Sequence, residues 1–97
     1  MDAVANAFLR RTIVSDDGTR LSLARGGDSG RPVLIVPGSL ATAHDWRPVI
    51  DHLVGATGYV LDRRGHGLSE RGRRSHSIGR EVDDTVAALR FVRPARW

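Results

Sequence analysis

Apolar and polar residues alternate along this chain in an order that predicts strands separated by helices. From Phe8 to Ser15 the residues are mostly extended formers, among them Leu9, Thr12, Ile13 and Val14, and Arg20-Leu21-Ser22-Leu23 alternates polar with apolar. Between them lies Asp16-Asp17-Gly18-Thr19, and an Asp-Gly step between two extended runs supplies the turn residues of a β-hairpin. Gly26-Gly27-Asp28-Ser29-Gly30-Arg31-Pro32 reads as a turn-rich connection. It is followed by Val33-Leu34-Ile35-Val36, a short apolar run, mostly β-branched, that predicts a strand buried on both faces. After a loop from Pro37 to His44, Asp45 can cap a helix whose apolar residues Trp46, Val49, Ile50, Leu53 and Val54 recur at helical spacing. Pro48 fits the first turn of that helix, where a missing N–H leaves no bond unmade, and Gly55 ends it. Tyr59-Val60-Leu61 predicts a second short buried strand ending at Asp62. An arginine- and glycine-rich loop runs on to about His76, and a second helix starts near Ser77 with Ile78, Val82, Val86 and Leu89 along one face and stops at Pro94. The class is therefore α/β, with parallel β-α-β units and an antiparallel hairpin at the sheet edge.

Length and composition narrow this picture. Ninety-seven residues with 40% apolar content and no internal repeat amount to at most one small domain with a modest core. There is no cysteine, so neither disulfides nor a thiolate metal site can brace the chain. Met1 to Arg11 lack a long apolar run, and no stretch approaches membrane-spanning length, which points to a cytoplasmic protein without a membrane partner. The formal charge is +4, and all 15 basic residues are arginine. Such a charge suggests a polyanionic partner, but the complete absence of lysine fits a G+C-rich coding sequence better than selection for phosphate contacts.

The candidate chemistry lies at the carboxyl ends of the two buried strands, which share one rim in an open α/β sheet. One rim segment is Pro37-Gly38-Ser39-Leu40 and the other is Asp62-Arg63-Arg64-Gly65-His66-Gly67-Leu68-Ser69. A buried strand ending in a glycine turn, a Trp opening the next helix, and a strand ending in Asp-x-Arg-Gly-x-Gly-x-Ser occur here in that order. In this the chain resembles the amino-terminal part of the α/β-hydrolase family from about Ile13 to Val92. The resemblance implies a partial α/β-hydrolase sheet and an ester-, lactone- or epoxide-hydrolysing lineage acting on a small-molecule substrate without a cofactor. It implies that the backbone N–H of Ser39, with Leu40 adjacent, forms half of an oxyanion hole, and that Gly38 and Leu40 border the substrate. Glycine at 38 would let the backbone turn and approach the substrate without a Cβ in the way. Pro37 departs from the family, which usually has His there. The Asp62–Ser69 loop is expected to shape the site structurally, with Asp62 and Arg64 pairing or capping backbone groups.

Several other groupings carry less. Gly27-Asp28-Ser29-Gly30 resembles the serine motif of chymotrypsin-like proteases, but no histidine precedes Ser29. Gly67-Leu68-Ser69-Glu70-Arg71 lacks the last glycine of a nucleophile elbow and sits in a loop. His66 and Ser69 have no residue marked to orient the imidazole, and His44, His52, His66 and His76 have no metal-ligand spacing.

In the family the second helix leads into a strand bearing Gly-x-Ser-x-Gly, with the acid and the histidine later still. None of these is found before Trp97, and complete domains of this kind occupy roughly 200 to 250 residues. Residues 1–97 are thus expected to be the amino-terminal part of a single, incomplete domain: a truncated remnant without a catalytic triad and without activity. The alternative is a small non-enzymatic module that binds anions or nucleic acid through Arg63, Arg64, Arg71, Arg73, Arg74 and Arg80, which face only Glu70 before Glu81. No aromatic residue interleaves these arginines for base stacking, so no specific nucleic acid is expected. In the family's strand order, Val33–Val36 lies between the Tyr59–Leu61 strand and the nucleophile strand. Without the latter it presents an apolar edge prone to self-association.

Overall fold

The computed structural model describes residues 9–27, 30–38, 40–72 and 77–92. The expected hairpin is present. Strands β1 (Leu9–Val14) and β2 (Arg20–Gly27) pair antiparallel from Leu9↔Arg25 to Val14↔Arg20. Their turn is closed by Ser15 N–H to Thr19 O (2.9 Å) and by the Asp17 carboxylate accepting the Thr19 N–H (3.1 Å). Gly18 supplies the left-handed residue that the turn needs, at φ +85°.

Strand β3 (Arg31–Ile35) leads through helix α1 (Ala43–Ile50) to strand β4 (Ala56–Leu61), which is followed by helix α2 (Ile78–Val92). The four strands form one sheet in the order β1-β2-β4-β3, with β3 and β4 parallel and β4 antiparallel to β2. Each face of the sheet carries one helix. Beneath α2 lie Ile13, Leu21, Leu23, Tyr59 and Leu61 with Ala88 and Val92. The opposite face buries Ala24 and Val60 against Ala43 and Ile50 of α1.

Three expectations are corrected. Strand β3 is not buried on both faces, since Val33 and, just past the strand, Val36 are exposed; as expected it lies at the edge, with β4 as its sole neighbour among the described residues. Helix α1 starts before Asp45. Thr42 is the N-cap in an extended conformation, and Asp45, at the third helical position, accepts the Thr42 N–H at 2.9 Å. Pro48 consequently lies inside the helix and not in its first turn, and the helix ends soon after it, at Ile50. Ile50 is buried and Trp46 and Leu53 pack beside it, whereas Val49 and Val54 face outward.

The third correction concerns α2. The stripe expected to face the core is largely outside: Ile78 is 80%, Val82 54% and Leu89 50% exposed. The helix instead turns Asp84, Ala88 and Val92 inward, at i, i+4 and i+8. Asp84 is held by Arg64, and Glu81 by Arg63, so charge pairing fixes the helix's rotation and strands the apolar stripe in the open.

Gly58 sets how closely α1 approaches the sheet. A Cβ on Gly58 would collide with the Ile50 side chain and come within 2.8 Å of Leu53 Cδ1. Strand propensity alone would favour valine there. Close packing reverses that preference, and Gly58→Val is expected to lower unfolding stability by about 1–3 kcal/mol. Urea titration of both proteins checks it, and equal midpoints would show that α1 moves without cost.

Candidate active-site rim

The strand-to-helix loop after β3 and the loop after β4 meet at the carboxyl end of the parallel pair, and one side chain joins them. Asp62 follows the last residue of β4 and is wholly buried. Its Oδ1 accepts the Ala43 N–H at the start of α1 (2.6 Å), and its Oδ2 accepts the Leu68 N–H (3.0 Å) and an Arg10 Nη1 hydrogen (3.1 Å). A carboxylate at a helix N-terminus is favoured both by the unpaired amides and by the helix dipole. Asp62 therefore fixes where α1 begins and how the β3–α1 loop lies over the rim.

The spacing Asp62-x-x-Gly65-x-Gly67-x-Ser69 follows from this geometry. Gly67 is pressed against the Asp62 carboxylate at φ +52°, where any Cβ would strike it, and Gly65 turns the chain at φ +77°. Ser69 Oγ–H donates to the Asp62 carbonyl (2.5 Å), and its oxygen accepts the Ser22 N–H (2.7 Å), clasping the loop to β2. The Ser69 hydroxyl is thus fully committed. The imidazole of His66 rests on the Arg64 carbonyl through Nδ1 (3.0 Å), so the two residues form no nucleophile–base pair.

Arg64 points the other way, into the core. Its guanidinium makes a bidentate pair with Asp84 (Nε to Oδ2 and Nη2 to Oδ1, both 2.7 Å) and reaches Asp17 through Nη1 at 3.0 Å. Ser15 Oγ–H adds a bond to Asp84 Oδ1 (2.5 Å). The hydrogen bonds from Arg64 and then from Thr19 hold the Asp17 carboxyl well below the usual carboxylate range. Asp84 and then Asp17 raise the Arg64 pKa further above its ordinary value, and Glu81 does the same to Arg63. Asp62 caps backbone amides and pairs with Arg10, while Arg64 pairs with Asp84 and Asp17; the two do not pair with each other.

Of the six arginines in the basic loop, three are committed within the chain. Arg64 pairs as above, Arg63 Nη2 meets Glu81 at 2.9 Å, and Arg80 lies 3.8 Å from Asp83 and 4.0 Å from Asp17. Their counter-charges come from the hairpin turn and from α2, beyond the reach of a local charge count. Arg71 is exposed, and Arg73 and Arg74 lie outside the described residues.

The loop after β3 is partly described. Pro37 is buried at the end of β3, so this position offers no side-chain donor. Gly38 is exposed and has open space where a Cβ would stand; its φ is not in the left-handed region. Leu40 takes that conformation instead, at φ +68°, with its side chain 92% exposed. Ala41 N–H closes the turn onto Gly38 O at 3.2 Å, which removes that donor from any substrate role. Ser39 lies outside the described residues, as do Asp28, Ser29 and His76. No group of three or more His, Cys, Asp or Glu able to hold a metal occurs among the described residues.

Two outcomes follow. Removing the Asp62 carboxylate leaves the Ala43 and Leu68 amides without their acceptor and takes one partner from Arg10, so Asp62→Ala is expected to cost about 3 kcal/mol or more, with faster hydrogen exchange at the Ala43 and Leu68 amides. Unchanged protection there would show that the loops do not depend on Asp62. A carboxyl whose pKa falls on folding stabilises the fold above its unfolded pKa of about 3.9 and loses that contribution as pH falls toward the folded value. The urea midpoint should therefore drop between about pH 5 and pH 2 less steeply in Asp17→Asn than in the parent. Parallel curves would contradict the Asp17–Arg64 pairing.

Comparison with known proteins places this geometry. The profile of the α/β hydrolase fold matches residues 31–95. An α/β hydrolase from Sphaerobacter thermophilus superimposes with a TM-score of 0.78 at 34% identity over 88% of this chain and 33% of its own. An epoxide hydrolase from Vigna radiata gives 0.77 at 28% identity over 87% and 28%, and a deformylase from Pseudomonas putida gives 0.78 at 29% over 87% and 33%. The chain thus spans about a quarter to a third of the length of the solved structures it matches. No curated protein matches the sequence. With its hairpin, its β1-β2-β4-β3 order and its Asp62-centred rim, the chain belongs to the α/β hydrolase fold family.

Proposed function

We propose that these 97 residues supply the oxyanion side of a small-molecule hydrolase site, in an ester-, lactone- or epoxide-hydrolysing lineage. The observation that carries this reading is the Asp62 carboxylate bridging the Ala43 and Leu68 amides. It fixes the start of α1, and the loop that leads there from β3 is where an acyl or epoxide oxygen would be received. The N–H of Ser39 is the intended donor, with Leu40 beside it, and Gly38 leaves room for the substrate. An oxyanion donor acts by meeting charge as it develops on the substrate oxygen, and a rigidly held backbone amide does so without reorganising. The epoxide hydrolase and the deformylase among the similar structures support hydrolysis of a polar bond in a small molecule.

The same reading assigns the nucleophile, acid and base to segments outside these residues. No side chain among those described forms a nucleophile–base pair, and Ser69 is locked to Asp62 and Ser22. Regarded alone, these residues are catalytically incomplete, and the reading calls for no cofactor. No helix among the described residues is long and apolar enough to cross a membrane. A cytoplasmic location accords with a chain that has no cysteine.

The purified chain is expected to hydrolyse nitrophenyl esters and styrene oxide no faster than a buffer blank. Saturable turnover abolished by a fluorophosphonate would overturn this and point to Ser39 or Ser69. The oxyanion role is read in a chimera that carries residues 31–72 in place of the matched segment of the Sphaerobacter hydrolase. There Ser39→Pro, which deletes the N–H, should lower kcat by about 10²–10³, while Ser39→Ala should not. Equal rates for the two variants would remove Ser39 from the site.

A further inference from the structure

A depression of about 220 Å³ opens between the start of β1 and the last turn of α2, on the side of the sheet away from β3. Because β2 runs antiparallel to β4, Arg25 opposite Tyr59 lies toward the end of the sheet remote from Asp62 and the rim. Leu9, Leu23, Tyr59 and Phe91 form the apolar walls of the depression, and Arg11 and Arg25, both exposed, complete its lining.

Strand alternation brings these groups together. Leu9, Arg11 and Ile13 share one face of β1, and Leu21, Leu23 and Arg25 share the same face of β2, the one that α2 covers. Arg11 pairs with Leu23 and Leu9 with Arg25, so the two arginines are diagonal neighbours across the ladder, with Cβ atoms about 7 Å apart. Arg10, on the other face, is taken up by Ser22 and Asp62. Arg11 and Arg25 have no such partner among the described residues. β1, β2 and β4 contain no acidic residue, and α2 has none after Asp84. Two like charges therefore stand close together, uncompensated, beside an apolar hollow.

We propose that this depression binds a small monocarboxylate with an apolar body, a short fatty acid or an aryl acid, whose carboxylate lies between Arg11 and Arg25. A guanidinium matches the two oxygens of a carboxylate in its own plane. One anion between two cations also removes their repulsion. Helix α2 sets the orientation, since the negative end of its dipole lies at Phe91. The carboxylate turns to the arginines on the sheet, and the apolar body lies against Phe91, Leu9, Leu23 and the ring of Tyr59. Burial raises the Tyr59 pKa against the pull of Arg25, so the phenol is neutral at pH 7 and does not compete with the ligand for the arginines. An alcohol of the same length fills the hollow without meeting the charges, and a phosphate meets the charges without filling the hollow. The site is separate from the rim, and it stands or falls independently of the oxyanion role of Ser39.

The test follows the amide signals of the isotope-labelled 97-residue chain by NMR during titration with hexanoate, hexanol and inorganic phosphate. Hexanoate should shift the Arg11, Arg25 and Phe91 amides and saturate with a Kd of about 1 mM or tighter, leaving Ala43 and Leu68 at the rim unmoved. Hexanol and phosphate should each bind about tenfold more weakly or worse. Arg11→Gln and Arg25→Gln should each weaken hexanoate binding about tenfold. Arg20→Gln, which removes the same charge from the opposite face of β2, should leave it unchanged. Phosphate binding as tightly as hexanoate would make this a plain anion site, and hexanol binding as tightly would make it an apolar crevice; either result overturns the proposal. So would shifts confined to the rim, an absence of saturation by about 10 mM, or arginine variants that bind as the parent does. Should an arginine variant fail to fold, the comparison of the three probes on the parent chain decides.

Discussion

The buried carboxylate of Asp62 is the constraint on which this rim depends. It sits where the chain leaves the sheet at β4, and it is satisfied by an amide at the start of α1, an amide in its own loop and a guanidinium from β1. A charge removed from water persists only where such donors converge. That requirement dictates the surroundings: glycine at 67, where a Cβ would strike the carboxylate, and a serine at 69 that ties the loop to β2. The loop from β3 inherits its end point from this network, since α1 begins where Asp62 holds it.

A second buried charge, on Arg64, does for α2 what Asp62 does for α1. Hydrophobic patterning alone would roll α2 so that Ile78, Val82 and Leu89 faced the sheet. The bidentate pair of Arg64 with Asp84, reinforced by Arg63 with Glu81, turns the helix away from that orientation. Breaking one partner of such a pair leaves an uncompensated charge in the interior, at a cost of about 3–5 kcal/mol. The exposure of Ile78, Val82 and Leu89 thus goes with how the basic loop is neutralised.

These two networks explain why the sequence was legible in some places and not in others. The hairpin could be read because Asp-Gly between extended runs is local chemistry, and the parallel order could be read because β3 and β4 are apolar runs separated by a helical pattern. The Asp62-x-x-Gly65-x-Gly67-x-Ser69 spacing showed a structural loop, since glycine and serine at fixed offsets from an acid are a local signal. What could not be read was any feature settled by distant partners. The rotation of α2 depended on Asp17 and Arg64, and the one visible sign was an acid at 84 in step with Ala88 and Val92. The start of α1 at Ala43 depended on Asp62, so Asp45 was the better local candidate for a cap and Pro48 was placed a turn too early. Gly58 gave no sign at all, because its role lies in the side chains of Ile50 and Leu53 across the sheet.

The cluster of Ser15, Asp17, Arg64 and Asp84 also sets an order of events in time. Ser15 and Asp84 are 69 positions apart in sequence, yet they share one hydrogen bond. At roughly 5–20 residues per second of synthesis, the hairpin waits from a few seconds to about fifteen for the helix that completes it. Earlier in that interval, until Arg64 follows Asp17 by 47 positions, the hairpin turn carries its carboxylate without the guanidinium, and until β4 follows, β2 has only β1 beside it. The last described element is thus the one that closes the first, and the nascent chain depends for those seconds on whatever shields its strands.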